Sequence, residues 1–185
     1  MTNLHAQSGA ISSTEWRHIR IDQSTRAQTF IDYGHHEIHA GSAYTSSKSF
    51  THGAGASPNI LMTVADNDKN PHLVFHVVSD SVLEVSLYES SGYSGGSALS
   101  SYNRNRNSSN TAGMVLATDA TDGGSGKGTL IWTYKAGANK TVTTSEGERY
   151  EFILKRNAVY LLETVGSNGD LITALLDWYE HTALT

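Results

Sequence analysis

The sequence predicts an all-β protein: a β-sandwich, most simply a jelly roll of about eight strands, preceded by an extended N-terminal arm. Apolar side chains recur at every second position in several short runs, which is the period of a strand with one buried face. Segments rich in Gly, Ser, Thr and Asn separate these runs and predict turns. Because a sheet with one apolar face needs a second layer to cover it, we expect two sheets packed together.

The length of 185 residues suits one domain, which we place at residues 28–185, with residues 1–27 as the arm. The arm is too polar to bury much surface alone, so we expect a neighbouring molecule to order it. The N-terminus lacks a basic start followed by an apolar run, and therefore does not read as a signal peptide.

Charge and composition exclude several classes of protein. The formal net charge of −5 argues against a nucleic-acid partner. The chain contains no cysteine, which removes disulfides and thiolate chemistry. No apolar window approaches the ~18 residues that a membrane helix needs, so we expect no membrane partner.

Two strand pairs are the clearest elements, and we interpret both as hairpins. In the first, Leu73, Phe75 and Val77 alternate with His72, Val74 and His76, a turn follows, and the alternation resumes from Leu83 to Leu87. The second joins residues 158–165 to residues 171–180 through Gly166-Ser167-Asn168-Gly169. Shorter strands are predicted at residues 48–51, 60–64, 114–116, 130–134 and 150–154, and residues 90–128 otherwise read as loop.

A histidine-rich segment, residues 30–39, also has the two-residue period of a strand. On a strand His35, Glu37 and His39 share one face, which makes a metal site with two imidazoles and one carboxylate geometrically possible. The zinc-protease pattern His-Glu-x-x-His fails here by one residue. We favour packed or interface histidines, and keep a metal-dependent, cupin-like enzyme as a competing hypothesis.

Three other segments carry residues that could bind a partner. The loop from Asn103 to Asn110 contains Arg104 and Arg106, which could form bidentate hydrogen bonds with carboxylates of a partner. The side-chain amides of its asparagines could form hydrogen bonds with backbone groups. Residues 92–96 match Gly-x-Ser-x-Gly, but no helical period follows, so we do not predict a nucleophile elbow. Near the end, Trp178, Tyr179 and His181 form either a sugar-stacking platform or, as we favour, an edge of the core.

Three motifs in the same order resemble a family of tailed-bacteriophage virion proteins of the head decoration, or capsid cement, type. They are Tyr33-Gly34-His35-His36-Glu37-Ile38-His39-Ala40-Gly41, Asn105-Arg106-Asn107-Ser108-Ser109-Asn110 and Asp177-Trp178-Tyr179-Glu180-His181-Thr182. The resemblance runs from about residue 28 to 182. It implies a small all-β structural protein without catalytic residues or a cofactor. Gly34 departs from the family, which would have a bulkier residue there.

From this resemblance we expect a non-enzymatic decoration protein on the outer surface of the capsid. Its partners would be the major capsid protein lattice, which it stabilises, and other copies of itself in a homotrimer. Imidazoles at such a contact would make attachment pH-sensitive. The candidate interface residues come from the three motif regions: His35, His36, Glu37, His39, Arg104, Arg106, Asn107, Trp178, Tyr179 and His181.

The alternative is a carbohydrate-binding β-sandwich module of a phage tail or head fibre. It predicts aromatic residues such as Tyr93, Tyr102 or Trp178 in a shallow groove.

Overall fold

A computed structural model describes residues 5–6, 17–18, 33–53, 58–137, 141–143 and 151–182. The chain divides into two compact units, Met1–His36 and Glu37–Thr185. In the first unit, strands β1 (His5–Ala6) and β2 (Arg17–His18) pair antiparallel. The rest of the arm, which we expected a neighbouring molecule to order, lies outside the described residues. The domain boundary at residue 28 stays a prediction.

The described part of the chain contains one helix and sixteen strands. The helix is α1 (Tyr33–Ala40), which is too short to span a membrane. The remaining strands are β3 (Ala43–Thr51), β4 (Asn59–Val64), β5 (Lys69–Ser79), β6 (Leu83–Glu89), β7 (Tyr93–Ser94), β8 (Ser97–Leu99), β9 (Tyr102–Asn103), β10 (Val115–Thr118), β11 (Thr121–Asp122), β12 (Thr129–Ala136), β13 (Thr141–Thr143), β14 (Phe152–Ile153), β15 (Ala158–Val165) and β16 (Leu171–Thr182).

Two antiparallel sheets form the body of the second unit. The first sheet has the strand order β12-β6-β15-β4-β10-β8. The second has the order β13-β5-β16-β3-β9, with β14 also paired to β5. One apolar cluster contains side chains of both sheets, among them Met62 and Leu162 from the first and Phe75 and Leu176 from the second. The expected all-β sandwich is therefore confirmed.

In β5 and β16 the alternating pattern predicted correctly which side chains are buried, whereas in β12 Leu130 and Tyr134 are exposed. Leu73, Phe75 and Val77 of β5 are fully inaccessible to solvent, as is Leu176 of β16. Thr173, on the opposite face of β16, is exposed. Period-two alternation thus identified the core-facing side of these strands.

Both predicted hairpins are wrong in their pairing. Strands β5 and β6 follow one another in the chain but belong to different sheets, and so do β15 and β16. Each turn therefore carries the chain from one layer to the other. In the sandwich, β15 pairs with β6 and β4, whereas β16 pairs with β5 and β3. An alternating pattern reports which face is buried and contains no information about the partner strand.

Residues 90–128 contain five short strands, β7 to β11, where the sequence predicted mostly loop. Strands β7 and β11 form a separate two-stranded sheet, and β8 and β10 extend the first sheet beside β4. A second small apolar cluster, made of Leu61, Ala120 and Leu161, is packed against Tyr88 and Tyr93. Strands of two to four residues are too short to produce a recognisable alternation.

Candidate functional site

The histidine-rich segment is a helix, so the predicted strand is wrong. Helix α1 ends at Ala40, and Gly41 follows with a left-handed φ of +73°. The Gly41 N–H donates to the Ile38 carbonyl (3.1 Å) and the Ser42 N–H donates to the Glu37 carbonyl (3.0 Å). These two bonds form a Schellman cap, which needs glycine at this position. The Ala40-Gly41 pair was the signal in the sequence that could have identified a helix end.

The helix rearranges the residues that a strand would have aligned. On a helix His35 and His39 share one side, since they are four positions apart, while Glu37 lies roughly opposite. Glu37 is buried and accepts a hydrogen bond from the Ser42 hydroxyl, whereas His35, His36 and His39 are exposed. Across the described residues, no group of three or more His, Asp or Glu side chains could hold a metal ion.

The loop of residues 103–110, named here the Asn loop, binds the end of α1 through its amides. Asn103 and Asn110 both donate from Nδ2 to the Gly41 carbonyl, at 2.8 and 3.2 Å. Asn105 Nδ2 donates to the His39 carbonyl at 3.2 Å. These asparagines thus satisfy carbonyls that the helix end leaves without intrahelical partners, as the sequence suggested for an Asn-rich loop.

Three members of the candidate interface in the Asn loop are exposed: Arg104, Arg106 and Asn107. The guanidinium of Arg106 lies 5.7 Å from the ring centroid of Tyr102, which is itself 55% exposed. The loop therefore separates two roles: its amides hold the helix end, and its arginines face solvent.

Trp178 does not lie on an exposed surface of this chain, and its place in the candidate interface stays a prediction. Its side chain is 2% exposed and its ring packs against Tyr44, with centroids 5.7 Å apart. Period-two alternation already placed Trp178 on the buried face of β16, together with Leu176. The interpretation as an edge of the core is the correct one of the two.

Glu180 is a functional group that the sequence reasoning missed. It is 4% exposed, and its carboxylate accepts hydrogen bonds from the backbone N–H groups of Gly113 and Met114 and from Trp178 Nε1, all within 2.8–3.0 Å. Its position two residues after Trp178 places it on the same buried face of β16, which was the available signal. Burial, and then the charge of Glu180, raise the pKa of the Tyr44 hydroxyl.

Tyr179 and His181 lie on the outer face of the second sheet and are half-buried. His72 of β5 stacks on Tyr179 with ring centroids 4.6 Å apart, and its ring packs at a tilt against His181, 4.5 Å away. Glu151 Oε1 accepts a hydrogen bond from the Tyr179 hydroxyl (2.6 Å) and lies 2.5 Å from His72 Nδ1. His72 and Glu151 were not among the predicted site residues, because their partners are distant in sequence.

The structure joins parts of all three motifs at one end of the sandwich. The Gly41 carbonyl is bound by the Asn loop, and the Ser42 carbonyl accepts the Glu180 N–H at 2.9 Å. A Cβ on Gly41 would lie 2.4 Å from Ser108 Oγ, so the helix end and the loop are in direct contact. We call Gly41, Ser42, Asn103, Asn110 and Glu180 the motif junction.

The Gly-x-Ser-x-Gly segment forms no nucleophile elbow. Tyr93–Ser94 is strand β7, and the next element is strand β8 rather than a helix. In comparisons with protein families, with curated proteins and with solved structures, the chain gave no match.

Proposed function

We propose that this protein is a non-enzymatic virion structural protein of a tailed bacteriophage, a capsid decoration protein on the outer surface of the head. It would bind the major capsid protein lattice, cement neighbouring capsomers and stabilise the head. The observation that carries the proposal is the motif junction. There Asn110 of the second motif binds the Gly41 carbonyl of the first motif, and Glu180 of the third motif binds the carbonyl of Ser42, the residue that follows the first motif.

The charge at this end suits attachment to an acidic surface. His39, Arg104 and Arg106 are exposed, and the Asn105 bond to the His39 carbonyl ties the loop to the end of α1. The net charge of the chain is −5, so these exposed basic side chains differ in sign from the chain as a whole. Arginine binds carboxylates bidentately, which gives such a contact geometric specificity.

Assembly as a homotrimer would multiply weak contacts. A trimer at a local three-fold axis would present three copies of the same basic surface, since closed symmetry repeats each patch around the axis. Once one copy is bound, the remaining contacts form at a high effective concentration.

We also infer that the sandwich is a jelly roll. Strands β3, β4, β5 and β6 alternate between the sheets, β12 then stays in the sheet of β6, and β13 lies in the other sheet. Strands β15 and β16 then insert to give the orders β4-β15-β6-β12 and β3-β16-β5-β13. An eight-stranded roll of two Greek keys gives this order.

The alternative, a carbohydrate-binding module, cannot use Trp178 as a stacking platform. A ring that is 2% exposed has no face available to a sugar.

The test is binding of purified protein to phage heads that lack it. We expect Arg104→Ala combined with Arg106→Ala to lower the affinity at least about tenfold, since each truncation removes a charge-assisted contact. The matched control is Lys135→Ala combined with Lys155→Ala, which removes the same charge from side chains that are 68% and 70% exposed. Equal loss with both pairs would contradict the proposal, as would cryo-EM density for this chain on the tail.

Acidification gives a second measurement on the same particles. We expect occupancy to change between pH 8 and pH 5, because α1 exposes His35, His36 and His39 and imidazoles at a contact make attachment sensitive to pH. Constant occupancy would argue against histidines at the contact.

A further inference from the structure

A cleft of about 810 Å³ opens in the second unit, on residues that the motif junction does not use. Its volume lies within the range of about 300–1,000 Å³ that is usual for small-molecule sites. The lining comes from both sheets and from the β7–β11 pair: Lys48, Ser49, Phe50, Thr51, Gly53, Pro58, Asn59, Tyr93, Asp119, Ala120, Thr121, Asp122, Lys127 and Glu163.

Tyr93 supplies a fixed aromatic surface to this cleft. Its side chain is half-buried and packs against the small apolar cluster of Leu61, Ala120 and Leu161. The Tyr93 N–H is also held by the Ser91 hydroxyl at 3.2 Å. A ring supported in this way loses little conformational entropy when a ligand stacks on it.

The polar groups of the cleft are held in place by internal hydrogen bonds. Asn59 donates to the Ala120 carbonyl (3.1 Å) and accepts from the Ala120 N–H (3.0 Å). Asp122 Oδ1 accepts from the N–H groups of Gly124 (2.8 Å) and Gly126 (2.9 Å). Asp119 has a left-handed φ of 58°, a backbone strain that its neighbours must support.

Two lysines and three carboxylates line the cleft, and this balance restricts the class of ligand. Lys127 donates to Glu163 at 2.8 Å, and this bond raises the pKa of the Lys127 ammonium. An anion would meet Asp119, Asp122 and Glu163, and an apolar ligand would desolvate charged groups without replacing their hydrogen bonds. A neutral ligand with many hydroxyl groups can both donate to the carboxylates and accept from the lysines.

We propose that this cleft binds a neutral saccharide, with one sugar ring stacked on Tyr93 and its hydroxyls bonded to Asp122 and to the Lys127–Glu163 pair. The proposal is independent of attachment to a capsid, because none of the cleft residues belongs to the motif junction. A decoration protein with such a site would carry a glycan-binding activity on the particle surface.

The test is a titration followed by amide chemical shifts, with glucose, galactose, mannose, N-acetylglucosamine, maltose, lactose and chitobiose as probes. Each sugar is raised to about 50 mM, where even a millimolar Kd approaches saturation. We expect at least one sugar to shift the resonances of Ser49, Tyr93 and Asp122. With that sugar, Tyr93→Ala should raise Kd about tenfold, while Tyr93→Phe, which keeps the ring, should stay within about threefold.

Two further variants keep the test decisive if Tyr93→Ala does not fold. Asp122→Asn retains an oxygen for the Gly124 and Gly126 N–H groups but loses the charge, and should raise Kd about fivefold. Tyr102→Ala removes an exposed ring outside the cleft lining and should leave Kd unchanged.

The absence of a shift at the cleft with every sugar would overturn the proposal. Because four consecutive residues of β3 line the cleft, a peptide strand is the rival occupant. A short synthetic peptide of β-branched residues that shifts these resonances, when no sugar does, would also overturn it.

Discussion

Glu180 is a buried carboxylate whose partners are the N–H groups of Gly113, Met114 and Trp178. All three are donors, and a carboxylate is the side chain that offers acceptors alone. A glutamine at this position would turn an NH₂ group towards N–H groups and leave a donor without a partner. The residue therefore fixes the loop before β10 to the strand that carries the third motif.

We expect Glu180→Gln to lower the free energy of unfolding by about 2–4 kcal/mol, because buried hydrogen bonds to a charged group are lost. Urea denaturation monitored by circular dichroism measures this change. The control is Glu84→Gln, whose carboxylate is 43% exposed and 3.8 Å from Lys135, and which should cost less than about 0.5 kcal/mol. Equal losses of unfolding free energy in the two variants would show that the buried hydrogen bonds of Glu180 do not stabilise the fold.

Tyr160 links stability to alkaline pH. Its hydroxyl donates to Glu89 (2.9 Å) and accepts from the Lys155 N–H (2.8 Å), and burial raises its pKa to about 12. In the unfolded chain a tyrosine loses its proton near pH 10. The unfolded state therefore releases this proton first, and the stabilisation, complete below pH 10, is lost as the pH rises towards 12.

We expect the wild-type protein to lose up to about 2 kcal/mol of stability through Tyr160 between pH 10 and pH 12. Tyr160→Phe should be less stable at pH 8, since two hydrogen bonds are lost, but should decline less steeply above pH 10. Tyr134→Phe, at a tyrosine that is 53% exposed, should keep the wild-type slope. Urea midpoints at each pH give the comparison, and parallel slopes for wild type and Tyr160→Phe would contradict it.

At the scale of elements, the end of α1 depends on a glycine for two separate reasons. Gly41 has a φ of +73°, and a Cβ there would lie 2.4 Å from Ser108 Oγ and 2.9 Å from Ser108 Cβ. Gly169, in the turn before β16, has a φ of +93° but no atom within 4 Å of its would-be Cβ. A substitution at Gly169 therefore tests backbone strain alone, whereas one at Gly41 tests backbone strain together with steric overlap.

We expect Gly169→Ala to cost about 1–2 kcal/mol, the strain of a left-handed residue with a side chain. Gly41→Ala should cost at least about 1–3 kcal/mol more, because Ser108 must move away from the motif junction. Thermal unfolding of both variants measures the difference. Similar losses of stability in the two variants would mean that the Asn loop can move away from Gly41 without a cost in free energy.

The sequence could predict which strands face the core, and it could not distinguish a short helix from a strand. The five residues His35-His36-Glu37-Ile38-His39 span less than two turns of a helix. Their pattern of side chains therefore fits a period of two as well as a period of 3.6. Glycine at position 41 carried the deciding information. The roles of buried polar residues such as Glu180 and Asn103 could not be predicted, because the partners that they bind lie more than sixty residues away in the sequence.

At the scale of the whole molecule, one core joins both sheets. Phe75 of the second sheet contacts Trp132 of the first, with ring centroids 5.2 Å apart, and the same cluster continues through Trp178. Neither sheet can keep its apolar face covered when the other is lost. The two layers should therefore unfold together.

We expect urea unfolding followed by tryptophan fluorescence and by far-ultraviolet circular dichroism to give superimposable transitions. The background is Trp16→Phe, so that the fluorescence comes from Trp132 and Trp178 within the sandwich. Two separate midpoints would contradict a single core. A matched check is Trp132→Phe, which should shift both signals by the same amount.

The two layer-crossing turns have a consequence for biosynthesis. Strand β15 lies between β6 and β4, and β16 lies between β5 and β3. Each sheet therefore lacks a central strand until β15 and β16 have been synthesised. Synthesis runs from the N-terminus, so β15 and β16 leave the ribosome after the strands on either side of them. During synthesis the apolar faces of both layers therefore stay incomplete until β15 and β16 have been made.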